Sequence, residues 1–253
     1  VNDCFTVTQI KNSDGTYTIT VNVKETTAAG EYKLFVHEVN NAAVQAEGSI
    51  NVTATVAKDD KGNYSPTIKD AIEKAPDGST ITVIAAANQI LLPDGIYVEN
   101  QTGITLDLNG HSLGGFPLNV GGLTATSKIR TGKLTVVDSE GGNGAVGVAV
   151  RDGGTLVFDP ENDNTTLLQL VVYGGTVQLY GGKILRNDLS LKKGIALGDL
   201  LPEGAGLAYY RGDTQLTLEQ AASQTCDLVV KVCSHGGENG FTFEGTTYDD
   251  LVR

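Results

Sequence analysis

Apolar and polar residues alternate along much of the chain, and between positions 78 and 182 the alternation returns as one short phrase. It reads Ile81-Thr82-Val83, Ile104-Thr105-Leu106, Leu134-Thr135-Val136, Leu156-Val157-Phe158 and Val177-Gln178-Leu179, each time bounded by turns that carry glycine. The phrases start 23, 30, 22 and 21 residues apart. A period of two puts the first and third residue of each phrase on one face. A strand this short cannot bury that face by itself, but strands stacked in register bury it as one column. Repeats of this length with no helical pattern between strands predict a parallel β-helix. The pairs Gly114-Gly115, Gly121-Gly122, Gly141-Gly142, Gly153-Gly154, Gly174-Gly175 and Gly181-Gly182 are the expected corners, since glycine takes positive φ freely. An antiparallel sandwich with glycine turns is the alternative.

Upstream the texture differs. Cys4 to Ile10, Thr16 to Val23, Glu31 to Val39 and Ser49 to Val56 alternate without the returning phrase. Each reads as a half-buried antiparallel strand, and Tyr17, Ile19, Val21 and Val23 share one face. Residues 1–57 are expected to be a small antiparallel β module, immunoglobulin-like or partial, and 58–64 a linker. A helix follows, with Ser65 as cap, Pro66 in its first turn and Ile68, Ala71, Ile72 and Ala75 on one face. It is placed to cover the open end of the array. The β-helix with this cap occupies 65–212, and 213–253 form a β-rich extension. In that extension strands are expected at Asp213 to Leu218, Asp227 to Val232 and Phe241 to Phe243, a helical turn at Thr217 to Ala222 and a helix opening at Thr246. The class is all-β.

Composition narrows the partners. Lys and Arg number 18 against 30 Asp and Glu, a net charge of −12, which disfavours nucleic acid and anionic membranes. No run of 18 apolar residues is present, so no membrane insertion is expected. The first residues lack a signal-peptide pattern and an initiator Met, so the chain reads as a fragment of something longer. Among three cysteines, Cys226 and Cys233 read as free thiols or a disulfide, or with His235 as metal ligands lacking a fourth member.

The run Thr67 to Val83, with Gly103-Ile104-Thr105-Leu106-Asp107-Leu108-Asn109-Gly110-His111-Ser112-Leu113, resembles right-handed parallel β-helix segments of large secreted or wall-attached surface proteins of gut-type Firmicutes. The likeness covers about Ser65 to Tyr210. It implies an extracellular location and the shape of pectate lyases and polygalacturonases, but many such proteins look like adhesins without catalysis.

The candidate chemistry is sparse. Asp107 and Asp159 take equivalent outward positions with Val137 between them, two strand spacings or about 10 Å apart. A retaining pair needs about 5.5 Å and an inverting pair about 6.5–9.5 Å. Asp159, Glu161 and Asp163 form a candidate calcium loop, otherwise a solvated turn. Arg151 and Arg186 lie on the same array, but no stretch resembles the lyases' catalytic arginine segment. His111 reads as a corner residue, and His37 has no visible partner. Arg211-Gly212-Asp213 spells an integrin-ligand tripeptide, and Asn51, Asn63, Asn100 and Asn164 begin Asn-x-Ser/Thr sequences read as accidental. Tyr173, Tyr180, Arg186, Tyr209, Tyr210 and Arg211 gather late in the array, and tyrosine and arginine favour protein-binding hot spots. Those six are the expected ligand-binding residues, with the alternative that Tyr209 and Tyr210 close the core. The expected function is a non-catalytic, monomeric binding module contacting a host protein or glycoprotein such as a mucin or immunoglobulin, without cofactor or metal. A carbohydrate-active enzyme and a pure spacer are the alternatives.

Overall fold

Two antiparallel hairpins make up the described part of the N-terminal unit, Val1–Ala54. The structure, a computed structural model, describes residues 5–24, 30–37, 44–88, 95–99, 101–123, 128–140, 143–160, 164–185, 188–203, 205–223, 228–233 and 246–248. Strand β1 (Phe5–Lys11) pairs with β2 (Tyr17–Val23), and β3 (Gly30–His37) with β4 (Val44–Val52). The first turn is held by Asp14, whose carboxylate accepts from the amide and hydroxyl of Thr16; the hydroxyl bond first, then the amide bond, lowers the Asp14 pKa. Phe5 meets Tyr32 edge-on at 4.9 Å. Farther along, the apolar face of β1 and β2 is open: Val7 is 54% exposed, Tyr17 53% and Val23 43%. Four strands are present, the last running Val44–Val52 where Ser49 to Val56 is expected, but the expected half-burial does not extend to these three exposed residues. Alternation marks a face; a second layer has to cover it.

The second unit, Thr55–Arg253, begins where a linker is expected. Residues 58–64 instead belong to a small hairpin, β5 (Ala57–Asp59) with β6 (Tyr64–Ser65), and β5 also pairs antiparallel with β7 (Thr80–Val83). Between them runs helix α1 (Ile68–Lys74), which buries Ile68, Ala71 and Ile72 as its spacing predicts. Its cap is Thr67, whose hydroxyl accepts from the Asp70 amide. Ser65 is instead buried in β6. Thr67 has extended backbone and stands three residues before that amide, the geometry an N-cap requires. At the other end the Gln101 side-chain amide donates to the carbonyls of Ile72 and Ala75, which the helix itself leaves unpartnered.

From here strands enter two sheets in turn. The first contains β7, β10 (Gln101–Asp107), β14 (Gly132–Val137), β16 (Gly154–Phe158) and β18 (Thr176–Leu179), parallel neighbours in that order. The second contains β8 (Ala87–Asn88) and β9 (Ile96–Val98) beside β11 (Ser112–Val120), then β15 (Ala145–Val150), β17 (Thr166–Val172), β19 (Lys183–Leu185) and β20 (Leu189–Lys192), again parallel. A two-strand ribbon, β12 (Gly122–Leu123) with β13 (Ile129–Arg130), stands off the second sheet.

Register makes the core. Ile104, Leu134, Leu156 and Val177 stand in one column, and Ile81, Leu106, Val136, Phe158 and Leu179 in the next; all nine are buried. Ile81 therefore lies opposite Leu106, a first step of 25 residues, not 23. A slip of two residues leaves every side chain on its own face, so alternation alone cannot reveal it. In the second sheet Val120, Val150, Val172 and Leu191 form a matching buried column.

Several corners do use the expected glycines. Gly121, Gly153, Gly175 and Gly182 have φ between 73° and 80°, and Cβ atoms on Gly121 and Gly175 would collide with backbone atoms of Gly154. Successive rungs thus touch through bare backbone. Gly114 and Gly115 are the exception: they lie inside β11, where the pairing with β15 shifts register. Gly141-Gly142 lie outside the described residues.

At the far end β21 (Gly206–Arg211), β22 (Thr214–Leu216) and β23 (Val229–Cys233) add antiparallel to β19, with α2 (Leu218–Ala222) capped by Thr217. β24 (Thr246–Tyr248) pairs parallel with β20; the expected helix opening there is a strand. Phe241 to Phe243 lie outside the described residues.

Candidate functional site

One outward carboxylate of the array, Asp107, braces its corners. Asp107 accepts from the amides of Asn109 and Ser139, both at 3.0 Å, and from the Ser139 hydroxyl at 2.7 Å. It therefore ties its own turn to the next one. Val137 stands opposite Asp107, and Asp159, exposed, comes one rung later. The expected separation of two spacings is thus the register observed.

Asp138 was not singled out from the sequence, yet it is fully buried. It follows Val137 and so turns inward at the corner where Leu108 stands one rung earlier. Its oxygens accept from the Gly110 amide (2.6 Å), the Gly144 amide (3.1 Å) and the Thr165 hydroxyl (2.7 Å). Three successive turns converge on one carboxylate. The only sequence signal is an Asp where alternation calls for an apolar residue.

An open pocket of ≈ 350 Å³ lies between α1 and the start of the second sheet, lined by Lys69, Ile72, Glu73, Gly95, Tyr97, Glu99 and Gln101. Tyr97 is 41% exposed. Glu73 pairs with Lys69 at 3.8 Å, and Glu99 is ion-paired with Arg130. Beside this pocket a polar line crosses the rungs: Tyr97 stands opposite Asn119, and the Asn119 side-chain oxygen accepts from Arg151 Nε at 3.2 Å. The Arg151 guanidinium lies 4.6 Å from the centroid of the Tyr173 ring.

The six expected ligand-binding residues are dispersed. Tyr173 follows β17 in the second sheet and lies under Arg151; Tyr180 follows β18 in the first sheet; both are half-buried. Tyr209 is a core residue, 3% exposed, and burial pushes its phenol pKa up to about 12. Tyr210 is half-buried beneath Lys231, 4.6 Å from its ring centroid, and donates to Gln215 at 3.4 Å. Arg211 is exposed, and Arg211-Gly212-Asp213 forms the exposed tip of the β21–β22 hairpin. Arg186 lies outside the described residues, as do Cys226, His235, Glu161 and Asp163. Cys233 ends β23, and His37 ends β3. His111 sits in the turn before β11, its carbonyl accepting from the Ala145 amide at 3.2 Å. Among the described residues no three His, Cys, Asp or Glu side chains group closely enough to hold a metal. No helix among the described residues is long and apolar enough to cross a membrane.

Comparison with known proteins returned no match to a family model, a curated protein or a solved structure.

Proposed function

We propose that the chain is a non-catalytic binding module built on a right-handed parallel β-helix, part of a secreted or wall-attached bacterial protein that contacts a host glycoprotein. The alternation of successive strands between two in-register parallel sheets supports the β-helix reading, because a chain that coils generates that order of pairing. The observation that carries the functional reading is the engagement of Asp107: among the described residues its hydrogen bonds go to turns, so the carboxylate aligned with Asp159 serves architecture. A net charge of −12 directs the partner away from nucleic acid.

A second reading, a glycan-cleaving enzyme, draws on the pocket, where Glu73 and Glu99 line one space. Each is already joined to a cation, whereas a hydrolase keeps one carboxyl group to protonate the leaving oxygen. One experiment decides between them. The purified chain is incubated with polygalacturonate and mucin glycans, with and without calcium, and is used in parallel to retain glycoproteins from mucus and serum. Retention without new reducing ends or unsaturated products is expected. Product formation that is lost in Glu73→Gln, Glu99→Gln or Asp107→Asn overturns the binding-module reading.

A further inference from the structure

Arg151 stands apart in this acidic chain. Arg130 is joined to Glu99, whereas among the described residues no carboxylate pairs with Arg151. Its side chain is nevertheless held. Nε donates to Asn119 at 3.2 Å, the guanidinium stacks 4.6 Å from the Tyr173 ring centroid, and its Cδ would be 3.4 Å from a Cβ on Gly122, whose absence leaves the stem room to lie down. Nε is thereby engaged, and the guanidinium lies over the Tyr173 ring. The two terminal nitrogens, with their fork of parallel N–H donors, have no hydrogen-bonding partner among the described residues. Fixing an arginine in one rotamer removes most of the entropy its fork would lose on binding, and that fork matches a carboxylate in two parallel bonds.

The same line continues to Tyr97. Asn119, which steers Arg151, stands opposite Tyr97 in the register, so one strand spacing of about 4.8 Å separates the backbone of Tyr97 from that of the residue that holds the guanidinium. Gly95 has φ +69°, and a Cβ there would be 3.4 Å from the Tyr97 ring; the glycine lets the ring pack against bare backbone. Tyr97 and Gly95 both line the ≈ 350 Å³ pocket. Glu99, at the corner of that earlier rung, is neutralised by Arg130.

We propose that Arg151, Asn119, Tyr173 and Tyr97 form a subsite for a carboxylate-bearing sugar. The guanidinium takes the carboxylate, and the Tyr97 ring takes the apolar face of a neighbouring pyranose. A sugar acid is favoured over an acidic peptide because Tyr97, 41% exposed and lining a pocket with polar side chains, stands opposite the residue that holds the cation. The inference rests on the binding-module reading and names the ligand chemistry for it. No bond is made or broken.

The intact chain is titrated with 3′-sialyllactose, trigalacturonate, neutral lactose and hexaglutamate, followed by calorimetry and ligand-observed NMR. Binding of at least one acidic sugar is expected, with none of lactose; which of the two binds separates a sialic acid from a uronic acid source. Arg151→Lys and Arg151→Gln should each weaken it by about tenfold or more, with unchanged unfolding midpoints, and Tyr97→Ala should weaken it without abolishing carboxylate dependence. Equal binding of lactose or hexaglutamate, wild-type affinity in both Arg151 variants, or no acidic sugar bound overturns the proposal. If mucus glycoprotein is still retained by Arg151→Gln, this subsite is wrong and the module reading stands; if the parent chain retains none, that reading falls separately.

Discussion

Asp138 and Thr165, 27 residues apart in the chain, meet through a 2.7 Å hydrogen bond inside a turn that water does not reach. The same carboxylate holds the amides of Gly110 and Gly144, so three rungs share one buried acceptor. Removing it as Asp138→Ala takes away the buried acceptor that these three donors share. A loss of roughly 3 kcal/mol or more is expected from urea unfolding, against about 1–2 kcal/mol for Thr165→Val. Equal effects of the two variants would show that Thr165 alone matters.

The aliphatic columns should respond as packed interiors do. Leu134→Ala and Leu156→Ala remove fully buried side chains from adjacent rungs, and each is expected to cost about 2–5 kcal/mol. Unchanged unfolding midpoints in both would contradict the register.

Gly154 tests the corner stack. A methyl group there collides with the Val120 carbonyl, backbone that cannot turn aside, so Gly154→Ala should lower the midpoint markedly. Gly154 itself has no positive φ, so its loss reports the collision alone, whereas Gly62→Ala, at φ +83° with open space around it, reports backbone strain alone. A Gly154→Ala midpoint equal to that of the parent chain would show that the close approach to Val120 does not constrain the fold.

Tyr209 predicts an alkaline signature. Burial raises its phenol from the ordinary 10.0 to about 12. Between those values the unfolded chain releases a proton that the folded chain keeps, so folding stability falls as pH rises through that window and is unaffected by this group below it. Unfolding midpoints recorded from pH 8 to 11.5 should fall more steeply for the parent chain than for Tyr209→Phe. Parallel curves would refute the assignment.

Acid acts through Asp70. The Thr67 hydroxyl first, then Lys74, holds its carboxyl below the usual 3.8, so its contribution is present above that value and is lost as pH falls through the depressed one. Thr67→Ala should destabilise the chain more at pH 7 than at pH 2.5, read as a difference in urea midpoint. An equal shift at both pH values would leave only the loss of the cap.

Much of the core was legible in the residues. Ile104, Leu106, Leu134, Val136, Leu156 and Phe158 are marked as buried by alternation alone, because a period of two assigns a face whatever the partner strand is; register then divides them between two columns. The apolar face of α1 was legible for the same reason at a period of 3.6. The ends of elements were less so: Thr67 and Ser65 are equally good cap residues by type, and only the backbone at each decides between them.

The sequence by itself determined which side chains of the repeated phrase turn inward, that glycines stand at most of the corners, and the excess of negative charge. Tertiary structure alone decided what depends on which rung lies beside which. The opposition of Ile81 and Leu106 is one case, since a two-residue slip preserves every face. The convergence of Gly110, Gly144 and Thr165 on Asp138 is another. The stacking of Arg151 on Tyr173, 22 positions later, is a third. Apart from Gly144, six positions from Asp138, these contacts join residues 22 to 28 positions apart, and the distance across a rung is set by register and turn length, which no local pattern encodes.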